Sequence, residues 1–150
     1  MAKYYYKKGN LKDSVPIDKE YHLLSQLAIT DVKKGEVGLV AAEIQAINEG
    51  LKKGDFAFFV TLEIRATTAP NPDFNKTDSA DDFEIAGNRG DNIANRKDHY
   101  GIDTRVGGYE AKKDYPVLYF NLWAKSGSTQ ASKGDKCFFK ENTMLIVFRF

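Results

Sequence analysis

The chain is poor in the residues that carry chemistry. Its 150 positions include one cysteine, Cys137, and two histidines, His22 and His99. A single thiol cannot close an intramolecular disulfide, so the small secreted scaffolds held by several bridges are excluded, as is any zinc site built from several cysteines. This cysteine usage fits a reducing compartment. The chain is expected inside the cell that makes it, or in a particle assembled there. Neither histidine has a second histidine or a cysteine at ligand spacing, so no transition-metal centre is expected. HYGID, His99 to Asp103, sets an imidazole near a carboxylate but offers no nucleophile, and a base alone is not a catalytic set. The sequence points to no cofactor and to no enzyme.

An excess of one charge is also missing. Lysine and arginine total 22 against 21 aspartate and glutamate, a formal net charge of +1. Such a balance exerts no global pull on nucleic acid or on an anionic membrane, so a polyanion site would have to be a local patch. No apolar run approaches the ~20 residues needed to span a bilayer, and the start MAKYYYKKGN lacks the apolar stretch of a signal peptide. No membrane partner is expected. Nor does a glycine-rich run lead into a helix, as a phosphate cradle requires.

What is present in excess is aromatic: ten phenylalanines, eight tyrosines and one tryptophan, 13% of the chain. These residues suit strands, and period-two alternation shows where the strands lie. From Phe56 onward, Phe56, Phe58, Val60, Leu62 and Ile64 share one face, while Ala57, Phe59, Thr61, Glu63 and Arg65 share the other. Tyr115 to Ala124 alternates likewise, with Leu118, Phe120 and Leu122 opposed to Tyr119, Asn121 and Trp123. In the last segment Met144, Ile146, Phe148 and Phe150 oppose Leu145 and Val147, so both faces of that strand are expected to be covered. Tyr4 to Tyr6, flanked by lysines, reads as a short protected edge strand.

Two segments favour helix. Leu39 to Gly50 places Val40, Ile44, Ile47 and Leu51 at helical spacing and ends on a glycine suited to a C-cap, with a strand over Val37 to Ile47, paired to the Phe56 strand, as the alternative. Asp18 to Ala28 clusters Leu23, Leu24 and Leu27, with Asp18 placed as an N-cap. The fold expected is therefore one mainly β domain over residues 1–150, an antiparallel sandwich or barrel-like arrangement with one or two short helices, with α+β as the alternative class.

KGDFAFF, Lys53 to Phe59, recurs as KGDKCFF, Lys133 to Phe139, and DVKKGEVG, from Asp31, repeats the habit in part. Glycine supplies positive φ and aspartate bonds nearby backbone, so these stretches read as tight turns entering strands, with Phe56 and Phe58 buried. Cys137, at a strand start, reads as a buried inert thiol.

Residues from Pro70 to Asp114 differ from the rest: dense in aspartate, asparagine and glycine, they form one long excursion or several short strands and turns. Phe74, Phe83 and Tyr100 are its anchors and the expected interface residues. Removing Thr77 to Arg96 is expected to lower the oligomeric state and leave the β-fold. Asp78, Asp81, Asp82 and Glu84 lack the spacing of a calcium loop and read as a solvated acidic stretch. Arg89-Gly90-Asp91 is a tripeptide too short to use.

Abundant aromatics without accompanying chemistry suggest a structural subunit that self-associates into an oligomer or larger assembly, such as a small virion or tail component. The alternative is a single-stranded nucleic-acid-binding β-module, OB-like, in which Tyr4, Tyr5 and Tyr6, or Tyr119 and Trp123 with Lys125, supply stacking and charge.

Overall fold

A computed structural model describes residues 3–8, 12–47, 51, 56–76, 83–93, 100–140 and 143–150; at residue 76, in 83–93, in 100–103 and, Tyr5 excepted, in 3–8, only the backbone is described. Among the described residues ten strands follow one another: β1 Lys3–Lys8, β2 Ser14–Pro16, β3 Tyr21–Val32, β4 Val37–Ile47, β5 Phe58–Thr67, β6 Phe83–Ile93, β7 Tyr100–Glu110, β8 Tyr115–Gly127, β9 Lys136–Phe139 and β10 Met144–Arg149. One turn of 3-10 helix, Phe74–Lys76, interrupts them. The protein is mainly β, and among the described residues the strands pair antiparallel in two sheets.

The first sheet runs β1-β10-β4-β9-β2, with β7 on the other side of β4; the second runs β3-β8-β5-β6. Their inner faces share one apolar core. Val40, Ala42, Ile44, Leu145 and Val147 from the first sheet face Leu24, Ile29, Leu62, Ile64, Leu118, Phe120 and Leu122 from the second. Tyr109 of β7 crosses the gap, its ring centroid 5.1 Å from that of Phe120 on β8.

The three strands read from alternation are present, as β5, β8 and β10, and Tyr4 to Tyr6 lies within β1 at the edge of the first sheet. Both expected helices are strands. In β4, Val40, Ala42, Ile44 and Ala46 point inward and Leu39, Ala41 and Glu43 outward, with β10 and β7 bonded on either side. Alanine favours helix by well under 1 kcal/mol over most residues, too little to outweigh two flanking ladders. The alternative strand over Val37 to Ile47 is the observed one, but it pairs with β10, β7 and β9 rather than with β5. In β3 a bulge between Leu23 and Ser25 inserts an extra residue, so Leu24 and Ser25 are both buried and the inward set resumes at Leu27 and Ile29. That break in period two imitates a helical cluster. Asp18 does not cap a helix; its Oδ1 accepts the Glu20 amide at 3.0 Å, and Lys19 turns through φ 64°.

The polar excursion resolves into two strands of 11 residues: β6, paired to β5, and β7, paired to β4 along its whole length. Removing Thr77 to Arg96 would thus take the edge strand β6 from the second sheet. Asp78, Asp81, Asp82 and His99 lie outside the described residues, as do the side chains of Phe83, Glu84, Tyr100 and Asp103.

The turns behave as expected where they are described. Gly35 and Gly134 have φ of 86° and 92°, and Asp135 Oδ2 accepts the Ser132 amide at 2.7 Å. Lys53 to Asp55 lie outside the described residues. The two copies are nevertheless out of phase: Phe58 is 2% exposed inside the sandwich, whereas Phe138, its match in the repeat, is 38% exposed and Phe139 turns inward instead. The repeat is not one of strand facing.

Candidate interaction surfaces

The outer faces of the two sheets are treated differently by the chain. On the second sheet, residues leaving β5 at Thr67 fold back over Trp123, Asn121, Glu63 and Arg65. Thr67 Oγ1 donates to the Ala69 carbonyl at 2.9 Å, and Gln26 Nε2 donates to the Pro70 carbonyl at 2.9 Å and to Asn121 Oδ1 at 2.7 Å. Arg65 donates through Nη1 to the Phe74 carbonyl at 2.9 Å and through Nε to Glu63 Oε1 at 3.0 Å.

Phe74 is the anchor of this strap. Its ring stacks on Tyr21 with centroids 4.1 Å apart, while the Arg65 guanidinium lies 3.7 Å from its centroid. Two groups that close cannot share one face, so Phe74 is sandwiched between them. Trp123 meets it edge-on at 5.3 Å, and Lys125 Nζ lies 4.7 Å from the Tyr21 ring centroid. Trp123 is only 4% exposed. Phe74, expected at an interface, is here held by its own chain.

This arrangement places the aromatic residues of the nucleic-acid alternative apart. Tyr119, Trp123 and Lys125 share the outer face of β8, but Phe74 covers Trp123. Tyr4, Tyr5 and Tyr6 belong to β1 in the other sheet, where Tyr5 is in register with inward Val147 and its hydroxyl accepts from Arg149 Nη1 at 3.3 Å. No single stacking platform is assembled from the two groups.

At one end a polar clasp ties the sheets together. Arg149, at the end of β10, bonds Glu36 through Nη2 at 2.6 Å and through Nε at 3.1 Å, and donates to the carbonyls of Thr30 and Asp31 on β3 at 2.9 and 2.8 Å. Asp31 has φ 54°, a left-handed conformation held by that contact. Tyr109 donates its hydroxyl to Glu36 Oε2 at 3.0 Å. Burial, then the hydrogen bond to Glu36, pushes the Tyr109 phenol up, while Glu36 raises the Arg149 guanidinium further. The clasp is satisfied on all sides and serves the fold.

The remaining chemistry is quiet. Burial pushes the Cys137 thiol up, which keeps it protonated and a poor nucleophile. His22, near the start of β3, has Nε2 2.9 Å from Asp18 Oδ2. Among the described residues no three His, Cys, Asp or Glu side chains gather as metal ligands, and no helix is long and apolar enough to cross a membrane.

Among the described residues none forms a strap over the outer face of the first sheet. Antiparallel sheets with one solvated side usually alternate apolar-in with polar-out, and this one departs from that rule. Register sets Phe148 and Ile146 of β10 beside Leu39 and Ala41 of β4, and these beside Gly108 and Val106 of β7. Val37, Leu39 and Val106 are 47, 42 and 65% exposed, and Met144, Ile146 and Phe148 are half-buried. Polar Glu43 and Thr104 border the patch at one end and Glu110 at the other. The signal lay in the two-sided apolar pattern of Met144 to Phe150, which on its own does not say whether this chain or another covers the second side.

No protein-family model matches the chain, and no curated protein is significantly similar to it. Among solved structures, the fold is similar to that of a chain in the structure of infectious bursal disease virus strain Gt, with a TM-score of 0.57, 11% identity, and coverage of 98% of this chain and 32% of that one. A chain in the structure of strain Gx gives 0.56 and 9% identity, covering 99% of this chain and 33% of that one. At such identities the likeness is one of fold, and this chain spans about a third of the length of each.

Proposed function

We propose that the chain is a non-enzymatic structural subunit that works by associating with neighbouring subunits, as a component of a virion. The observation that carries this reading is the asymmetry of the two outer faces: one is strapped by the chain's own Phe74, the other is apolar and crossed by none of the described residues. Contiguous exposed apolar surface on a soluble domain marks a contact site. The fold likeness to chains of infectious bursal disease virus supports placing that contact in a virion. A non-enzymatic role fits a buried, protonated Cys137 and a His22 held by Asp18. Sedimentation of the purified protein tests the reading. A species well above the 16.9 kDa monomer at tens of micromolar is expected, and a stable monomer across that range would remove it.

A further inference from the structure

We infer that the slot between Tyr21 and Arg65 is a peptide-recognition site, and that in the assembly its occupant is the Phe74 segment of a neighbouring copy; this rests on the assembly reading and adds a contact to it. The segment seated there shows the chemistry of the ligand. Tyr21 and the Arg65 guanidinium lie on the two faces of the Phe74 ring at 4.1 and 3.7 Å, a gap one ring thick, and Trp123 closes its side at 5.3 Å. Beside the slot, Arg65 Nη1 donates to the Phe74 carbonyl and Gln26 Nε2 to the Pro70 carbonyl, each at 2.9 Å. An aromatic-lined groove with side-chain donors for backbone carbonyls suits an extended peptide that contains proline.

The seated segment is built as such a peptide. Pro70 and Pro72 fix their own φ and bias Ala69 and Asn71 toward extended backbone, so the segment loses little freedom on docking. From Thr68 to Asn75 only Pro72 and Phe74 are half-buried; the others are exposed. The chain leaves and rejoins the sheet at one place, because Ala66 near the end of β5 is in register with Phe83 at the start of β6. The segment can therefore swing out and seat elsewhere without unpairing either strand. Extended from Thr67, Phe74 reaches at most about 24 Å, which sets how near a neighbour's slot must lie. Tethering holds the segment over its own slot at an effective concentration of about millimolar, so it stays closed in a dilute monomer. A neighbour fixed within reach offers an identical segment on comparable terms, and the two copies exchange like for like.

The lone tryptophan, Trp123, lies beside the slot and reports its filling. Phe74→Ala empties the slot and should move the emission to longer wavelength; Phe74→Leu is a second variant that loses less apolar contact. A synthetic peptide of residues Thr68 to Asn75 should reverse that shift saturably in the ~millimolar range, and the same peptide carrying Phe74→Ala should not. A donor copy carrying Tyr21→Ala and Trp123→Phe, its own slot broken and its tryptophan emission gone, should reverse the shift likewise. Reversal by neither would mean that the slot takes only its own chain, and the site is overturned. Reversal by the peptide but not by the donor copy overturns exchange between copies. Sedimentation of the wild type is read separately: association without reversal by the donor removes the exchange and leaves the assembly reading standing. A wild type that is monomeric at tens of micromolar removes the assembly reading and, with it, the neighbour.

Discussion

Single residues decide how far the repeat and the core can be trusted as guides. Phe58 and Phe138 occupy matching places in the two KGD stretches, yet one is enclosed and the other half in solvent. Phe58→Ala should cost about 3–5 kcal/mol in denaturant unfolding, and Phe138→Ala under about 1 kcal/mol; equal losses would mean that the phase difference has no energetic meaning. Two buried groups set the alkaline limit. The Cys137 thiol and the Tyr109 phenol both titrate higher in the folded chain than unfolded, so their contribution is complete below the unfolded values, ~8.5 and ~10. It is lost as pH rises above those values, because the unfolded chain then gives up protons that the folded chain keeps. Stability should be flat between pH 7 and 8, fall from about 8.5 upward, and fall less steeply in Cys137→Ala and Tyr109→Phe. A wild-type curve flat to pH 11 would contradict this.

At the level of elements, the strap and the excursion strands show how neighbours override local preference. Phe74→Ala should release the strap while β3, β8 and β5 stay paired. It should shift Trp123 emission to longer wavelength, raise its quenching by acrylamide and cost about 1–3 kcal/mol. Unchanged tryptophan emission would mean that Trp123 is buried by something other than Phe74. β6 and β7 hold Asn92, Asp91, Gly90, Gly101, Gly107 and Gly108, a composition that local reading assigns to loops. They are strands because each lies against a long partner whose backbone groups need satisfying: β5 for one, β4 for the other.

Across the whole molecule, two features hold the sandwich together: the shared apolar core and the Arg149–Glu36 clasp between β10 and the end of β3. Arg149→Ala would leave the Thr30 and Asp31 carbonyls without the guanidinium and Glu36 with Tyr109 as its remaining clasp partner, and should cost about 2–4 kcal/mol. The loss should appear in thermal unfolding without any change in the association expected of the bare face, because the clasp points inward. A drop in association alone would reverse that assignment.

The sequence by itself determined the β class, the three alternating strands, the turn glycines and the inert thiol, because each rests on a period of two or on the chemistry of one or two neighbours. It also held the two-sided apolar pattern of Met144 to Phe150. Tertiary structure alone decided that Leu39 to Ile47 and Tyr21 to Ala28 are strand, where flanking ladders and one bulge outweigh a helical spacing worth less than they are. It alone decided that Phe74 packs on its own chain while Val106 is left exposed, since which face of a sheet is covered depends on what crosses it. In this chain a strap crosses the second sheet and none of the described residues crosses the first.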